Sequence, residues 1–130
     1  MLTGRRTADH PLWREMVHVT NAVTRVLRHL PAGDGAARIL GDLVQAQRRL
    51  MAAIEGERLP WVLLDLRRAR AELCRLGAAF AMAEMLGAIQ VGESVRVRTV
   101  IRHLVDLVDL ESYSVAKSIL GRDRRAEGAA

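Results

Sequence analysis

Arginine is the residue type in this sequence with the clearest capacity for chemistry. The chain has 130 residues and a formal net charge of +5, and Lys117 is the only lysine among its 20 basic residues. The planar guanidinium group donates paired hydrogen bonds to phosphate. Six arginines fall on two consecutive predicted helices, namely Arg48, Arg49, Arg67, Arg68, Arg70 and Arg75. We predict that these six bind nucleic acid, mostly through backbone phosphates and therefore in a salt-sensitive manner with weak sequence specificity.

The alternative is that these arginines only keep an ordinary surface solvated. Arg68 and Glu72 stand four residues apart, a spacing that favours an exposed ion pair on one helix face. Aromatic side chains that could stack on unpaired bases are few: Trp13, Trp61, Phe80 and Tyr113. Under this hypothesis the protein is a helical interaction or scaffold module that binds another protein through an apolar strip. The sequence leaves both hypotheses open.

Groups suited to catalysis or metal binding are scarce. The residue three positions after Glu84 is Gly87, where the Glu-x-x-His motif of di-metal bundles would place a histidine. A small helical enzyme of the chorismate mutase type would need glutamate and arginine inside the bundle. Glu111, with Gln47 and Arg48, keeps that third hypothesis open. We predict a non-enzymatic protein with no metal and no cofactor.

The single cysteine and the apolar segments indicate the cellular setting. Cys74 is the only cysteine, so an intramolecular disulfide is excluded. It lies within a predicted helix, where we expect it to pack in the core as a small residue. No segment approaches the roughly 18 apolar residues of a membrane span, and residues 1–11 lack the apolar core of a secretory signal. We expect a cytoplasmic protein without a membrane partner.

Helices are the elements that must position the arginines. The composition is half apolar with only 3% aromatic residues, which indicates an all-helical bundle with an aliphatic core. The longest regular pattern runs from Pro60 to Gly87. Proline is tolerated in a first helical turn, and glycine is favoured just after a helix ends. The apolar residues of this segment recur at alternating steps of four and three: Val62, Leu66, Ala69, Leu73, Leu76, Phe80, Ala83 and Gly87.

Three further segments show the same periodicity. Their predicted limits are capping or stop residues: Asp9 to Pro31, Asp34 to Gly56, and Glu93 or Ser94 to Gly121. In the second of these helices we expect Leu40 and Leu43 on the inner face, with Ile39 widening that face. In the fourth helix of the chain Glu111 interrupts the apolar stripe, where a buried carboxylate would need a partner.

Short links between four helices favour antiparallel neighbours. The predicted fold is therefore an all-α, up-down-up-down four-helix bundle. We expect one domain over residues 1–130, with a core at about residues 10–121. The segments 1–8 and 122–130 are predicted to be disordered tails.

The segment 50–89 resembles a known family of four-helix bundles. Its features are an acidic, alanine-rich turn, a leucine-aspartate helix start, a Leu-x-x-Leu core with basic residues, and a leucine-glycine stop. They correspond to Ala53 to Glu57, Leu64 with Asp65, Leu73 with Leu76, Arg70 with Arg75, and Leu86 to Ile89. In these features the chain is similar to the Avd (accessory variability determinant) proteins of diversity-generating retroelements. It is similar in the same way to the relatives of Avd that ribosomal RNA intervening sequences encode.

The resemblance implies a non-enzymatic, ring-like homo-oligomer, commonly a pentamer, with a basic surface. Such a protein would bind a reverse transcriptase and its nucleic acid, RNA in preference to DNA. These partners and the subunit number are expectations from the family.

Overall fold

The computed structural model describes residues 7–129 and places nearly all of them in helices. A single turn of 3-10 helix at Thr7–Asp9 precedes four α-helices. Their bounds are Pro11–Leu27 for α1, Asp34–Glu55 for α2, Leu59–Met85 for α3 and Val91–Ala129 for α4. The all-α architecture with four helices is confirmed.

Each helix packs against its neighbours in sequence, and α1 closes the bundle against α4. Within residues 7–129 the diagonal pairs α1–α3 and α2–α4 do not approach each other closely. Hydrogen bonds join Thr7 to Glu55 at 3.0 Å and Thr20 to Gln47 at 2.9 Å, so α2 runs antiparallel to the segment that includes α1. This order matches an up-down-up-down bundle. The helix α3 packs closely with both α2 and α4, so the solvent-facing side of α3 lies between these two helices.

The N-terminus of α1 is capped by His10. Its Nδ1 accepts a hydrogen bond from the backbone N–H of Leu12 at 3.1 Å, and Pro11 occupies the first helical position. The predicted N-cap, Asp9, is wrong, because Asp9 belongs to the preceding 3-10 turn. The predicted periodicity of this helix is confirmed, because residues spaced three and four apart are all buried: Leu12, Met16, Val19, Val23 and Val26.

The inner face of α2 is rotated relative to the prediction. Ile39 and Leu43 are buried, whereas Leu40 is 49% exposed. Adjacent residues differ by about 100° around a helix, and the packing of α2 turns Ile39 inward and leaves Leu40 at the surface. The predicted Asp34 N-cap is also wrong. Asp34 is already helical, and Gly33 precedes it without a side-chain cap.

The helix α4 extends at both ends beyond its prediction. It begins at Val91 and continues through Gly121 to Ala129. The predicted stop at Gly121 is therefore wrong, and residues 122–129 are helical instead of disordered. One glycine costs a helix only about 1 kcal/mol relative to alanine, and the arginine, alanine and glutamate residues that follow are compatible with a helix. The remaining tail positions, 1–6 and Ala130, lie outside the described residues.

Aliphatic side chains and one phenylalanine fill the core. Phe80 is fully buried and is the last buried residue of the α3 stripe. Ser94 is the only buried polar residue in the described part of the chain, and its Oγ donates to the carbonyl oxygen of Phe80 at 3.4 Å. Gly87 ends α3 with a positive φ of 76°, as its predicted role as a stop requires. Among residues 7–129, no helix has the length and apolar character needed to cross a membrane.

Candidate nucleic-acid interface

Three of the six predicted arginines are alike in their exposure and in their height along the bundle, and we call them the outer arginine cluster: Arg48 on α2 with Arg67 and Arg68 on α3. The antiparallel helices α2 and α3 are joined by residues 56–58 alone, so the second half of α2 lies level with the first half of α3. Arg48 therefore lies at the height of Arg67 and Arg68. All three are exposed, and within residues 7–129 none of them forms an ion pair. Their guanidinium groups are available to a ligand.

Arg49 differs from its neighbour Arg48 in its surroundings. The side chain is half-buried, and its Nε is buried without a hydrogen-bond partner among residues 7–129. An unsatisfied buried donor loses its hydration without compensation. Of the six predicted arginines, Arg49 therefore has the position that is least favourable for the stability of the fold.

The last two predicted arginines are held by carboxylates. Arg75 Nη1 lies 3.2 Å from Glu72 Oε1, so Glu72 pairs with Arg75 and not with Arg68 as one hypothesis expected. Arg70 Nε lies 2.7 Å from Asp109 Oδ1 on α4. This hydrogen bond and the charge of Asp109 raise the pKa of Arg70. Arg70 is thus directed towards α4 and separated from the outer arginine cluster.

Trp61 adds an aromatic face next to the outer arginine cluster. It is 60% exposed, and it borders a shallow depression of about 300 Å³ together with Pro60 and Arg67. An exposed indole can stack on an unpaired base of any identity. The sequence could have indicated that Trp61 is exposed, because Trp61 lies outside the apolar stripe and immediately before its first residue, the buried Val62. Sequence reasoning counted Trp61 only as one of four aromatic residues.

A second arginine-rich feature, the α3–α4 groove, was not predicted. It has a volume of about 470 Å³, and its lining includes Arg70, Cys74 and Gly77 from α3 with Arg98, Thr99 and Arg102 from α4. Arg98 Nη2 lies 2.9 Å from Glu84 Oε1, and Arg98 Nε donates to Ser94 Oγ at 3.1 Å. The four-residue spacing of Arg98 and Arg102 could have indicated a shared helix side. Only the packing of α4 beside α3 adds Arg70 to them.

The expectation that Cys74 packs in the core is wrong. Cys74 is exposed, and Arg70 Nη1 lies 3.7 Å from its Sγ. The cause is helical geometry, because Cys74 follows the buried Leu73 and is turned away from it by about 100°.

An apolar groove of about 840 Å³ lies between the first half of α2 and the second half of α3. Its lining includes the small residues Ala78 and Ala79, with Met82 and Leu86 at the surface. Met82 is 56% exposed and Leu86 is 77% exposed. This groove is a surface on which an apolar partner segment could pack.

The residues of the hypothetical enzyme site are not brought together. Gln47 is directed towards α1, where its Nε2 donates to Thr20 Oγ1, while Arg48 is exposed. Glu111 lies on α4, diagonally opposite α2, and is half-buried without an ion pair in the described part of the chain. A half-exposed carboxylate keeps its hydration, so it does not need the partner that the sequence suggested.

Across residues 7–129, no cluster of three or more histidine, cysteine, aspartate or glutamate side chains could hold a metal ion. His103 Nε2 lies 3.9 Å from Glu15 Oε2 on α1. In comparisons with known proteins, no family model matches the chain and no curated protein matches it.

Proposed function

We propose that this protein is a non-enzymatic accessory subunit that binds RNA, in preference to DNA, together with a reverse transcriptase. The observation that carries the proposal is the outer arginine cluster, in which Arg48, Arg67 and Arg68 are exposed and unpaired within residues 7–129. Two parts of the proposal, the reverse transcriptase partner and the homopentameric assembly, come from the resemblance of segment 50–89 to the Avd family. The bundle fold is compatible with that resemblance.

Phosphate is the ligand group that this surface fits best. Unpaired guanidinium groups can each donate two parallel hydrogen bonds to phosphate oxygens without first breaking an ion pair. Trp61 lies six residues before Arg67, about 9 Å along the helix axis. A base could stack on the indole while the adjoining phosphates contact the arginines. This combination favours single-stranded RNA over a regular duplex.

A charge-matched pair of variants tests the surface. The first variant changes Arg48, Arg67 and Arg68 to glutamate, and the control changes Arg122, Arg124 and Arg125 on the end of α4 to glutamate. Both lower the net charge by the same amount. We expect the first variant to bind a fluorescent single-stranded RNA at least tenfold more weakly in anisotropy titrations. We also expect the salt dependence of binding to become shallower by about 0.7 per lost phosphate contact.

Equal losses in both variants would mean that net charge alone determines binding, and the proposed surface would be abandoned. Trp61→Ala gives an independent measurement. Loss of one stacked base weakens single-strand binding by about 1 to 3 kcal/mol. Unchanged binding by this variant would remove the aromatic contact from the proposal.

The assembly is tested by size-exclusion chromatography with light scattering, with and without RNA. We expect a discrete oligomer near five subunits that shifts with RNA and releases it as salt rises. A monomer that ignores RNA would contradict the accessory role.

The apolar groove between α2 and α3 favours a second candidate function, a protein-interaction module without nucleic-acid binding. Met82→Glu would place a charge at the edge of that groove, whereas Met85→Glu, on the same helix and 80% exposed in the native chain, lies outside its lining. Under this second function, Met82→Glu disrupts the association measured by light scattering, Met85→Glu does not, and the wild-type chain does not retain RNA. Under the first function, RNA retention depends on the outer arginine cluster.

A further inference from the structure

The α3–α4 groove gathers three guanidinium groups from two helices. Arg70 enters from α3, and Arg98 and Arg102 enter from α4. Asp106 is the only acidic residue in the lining, and two of the three arginines also pair with carboxylates beside the groove. Three cations around one space of about 470 Å³ form a compact site, unlike the open surface of the outer arginine cluster.

Two of these arginines are fixed in place before any ligand arrives. Asp109 holds Arg70 through Nε at 2.7 Å, while Glu84 and Ser94 hold Arg98 through Nη2 and Nε. A guanidinium group has N–H donors on all three nitrogens, so each arginine keeps donors that these contacts do not use. Arg102 is exposed and forms no ion pair within residues 7–129. Arg70 and Arg98, which these contacts already orient, lose little side-chain freedom when they bind an anion.

Gly77 leaves room in the groove beside the α3 backbone. A Cβ added at this position would have only Ile101 Cγ2 nearby, at 3.9 Å. The hydroxyl of Thr99 donates to the carbonyl oxygen of Val95 at 2.7 Å, so its oxygen can still accept a hydrogen bond. A ligand that carries both an anionic group and a hydroxyl donor fits this arrangement.

We propose that the α3–α4 groove binds a terminal phosphate group, the phosphomonoester of a nucleotide or of a nucleic-acid end. A backbone phosphodiester carries one negative charge, whereas a phosphomonoester carries close to two at neutral pH. Its three terminal oxygens accept hydrogen bonds from several guanidinium groups at once. This site goes beyond RNA binding by the outer arginine cluster and does not depend on it.

The single cysteine of the chain reports on occupancy of the groove. Cys74 is exposed and belongs to the lining, so a bound ligand shields its Sγ from iodoacetamide. The probes are inorganic phosphate, adenosine 5′-monophosphate, and one short oligonucleotide with a 5′-phosphate or a 5′-hydroxyl, all at constant ionic strength. We expect the phosphorylated probes to slow alkylation several-fold and the 5′-hydroxyl oligonucleotide to have no such effect.

The pattern of protection identifies the source of the phosphate. Protection by all phosphorylated probes indicates a free phosphate or nucleotide, and protection by the phosphorylated oligonucleotide alone indicates a nucleic-acid end. Absence of protection by every probe overturns the proposal. Equal protection by the 5′-hydroxyl oligonucleotide also overturns it, because that result assigns the groove to backbone contacts and would leave RNA binding itself intact.

Variants connect the protection to the named residues. Arg102→Gln removes one guanidinium and should weaken binding of the protecting probe about tenfold in calorimetry. Arg96→Gln is the matched control, because Arg96 lies on the same helix but lines a groove on the α1 side. Gly77→Leu fills the groove without a backbone clash and should abolish binding, with Gly41→Leu as its control on α2. Unchanged affinity in both Arg102→Gln and Gly77→Leu would contradict the proposal.

Discussion

Arg70 Nε lies 2.7 Å from Asp109 Oδ1 and joins the middle of α3 to α4. The two residues are separated by 39 positions in sequence, and their side chains are 48% and 47% exposed. The contact fixes the orientation of an arginine that helical periodicity alone would leave free. Its contribution to stability is limited by the water around both groups.

Asp109→Asn should therefore have a small effect on folding. We expect the free energy of unfolding in urea to fall by up to about 1 kcal/mol, because exposed ion pairs are screened by solvent. The loss should shrink as salt is added. Asp123→Asn, an exposed residue without an ion pair among residues 7–129, is the control. A loss of several kcal/mol would mean that the pair is more deeply desolvated than its exposure indicates.

The stabilisation from Arg70 should not vary over the neutral pH range. Its pKa is raised in the folded state by the hydrogen bond to Asp109 and by the charge of Asp109. A raised pKa gives stability that is fully present below the unfolded-state pKa and is lost only as pH rises through the folded-state pKa. For arginine both lie in strongly alkaline solution. The difference in unfolding free energy between wild type and Arg70→Gln should therefore stay constant across neutral pH.

Leucine-to-alanine changes should separate the core of the bundle from its surface. Leu66→Ala should lower the free energy of unfolding by about 2 to 5 kcal/mol, because Leu66 is fully buried and its removal leaves a cavity. Leu110→Ala is the same chemical change at a residue that is 67% exposed, and it should alter stability by no more than about 0.5 kcal/mol. Urea unfolding followed by circular dichroism measures both. Similar losses would indicate that Leu110 is covered, as it would be in an oligomer.

Two glycine-to-alanine changes should have opposite signs. Gly87 has a φ of 76°, so alanine there is strained and should destabilise the protein by about 1 kcal/mol. Gly41 lies inside α2 with open space where a Cβ would be added, so Gly41→Ala should stabilise by about 0.5 to 1 kcal/mol. We expect the thermal unfolding midpoint of Gly87→Ala to lie below that of wild type and the midpoint of Gly41→Ala to lie above it. A stabilising Gly87→Ala would mean that α3 can end without a left-handed residue.

Arg49→Met should leave stability unchanged or increase it. The change removes a buried Nε that has no partner among residues 7–129 and keeps a side chain of similar length. Arg48→Met is the control at an exposed position, where the effect should be within about 0.5 kcal/mol. A clear loss of stability in Arg49→Met would show that the guanidinium has an acceptor in solution. A simultaneous loss of RNA affinity would place Arg49 in the binding surface.

Removal of residues 122–130 should not unfold the bundle. Residues 122–128 are exposed, so their helix adds little apolar burial. We expect the urea midpoint to stay within error and the helical circular dichroism signal to fall by the share of the deleted residues. A large fall in the midpoint would mean that the end of α4 packs against another surface, such as a second copy of the chain.

Much of the bundle followed from periodicity alone. The stripe of α3 from Val62 to Phe80 was predicted residue by residue, because buried positions on one helix must recur every three or four residues. Gly87 was predicted as a stop for a local reason, the cost of a positive φ for other residues. These properties depend on near neighbours in sequence.

The rotation of α2 and the ends of the helices did not follow in the same way. Ile39 and Leu40 are equally apolar, and packing against the neighbouring helices decides which of them is buried. The cap at His10 and the passage of α4 through Gly121 each involve differences of about 1 kcal/mol, which local sequence signals do not resolve.

Some properties of the candidate binding surfaces likewise follow from the sequence, and others depend on the tertiary structure. The sequence by itself determined that Arg48, Arg67 and Arg68 lie outside the apolar stripes, since those positions cannot face the core. Only the tertiary structure decided that Arg70 pairs with Asp109, that Cys74 is exposed in a groove, and that Arg98 and Arg102 share that groove. The physical reason is that side-chain direction on one helix is a local property. Which directions meet depends on how far two helices are rotated and shifted against each other, and the packing of the whole core sets that arrangement.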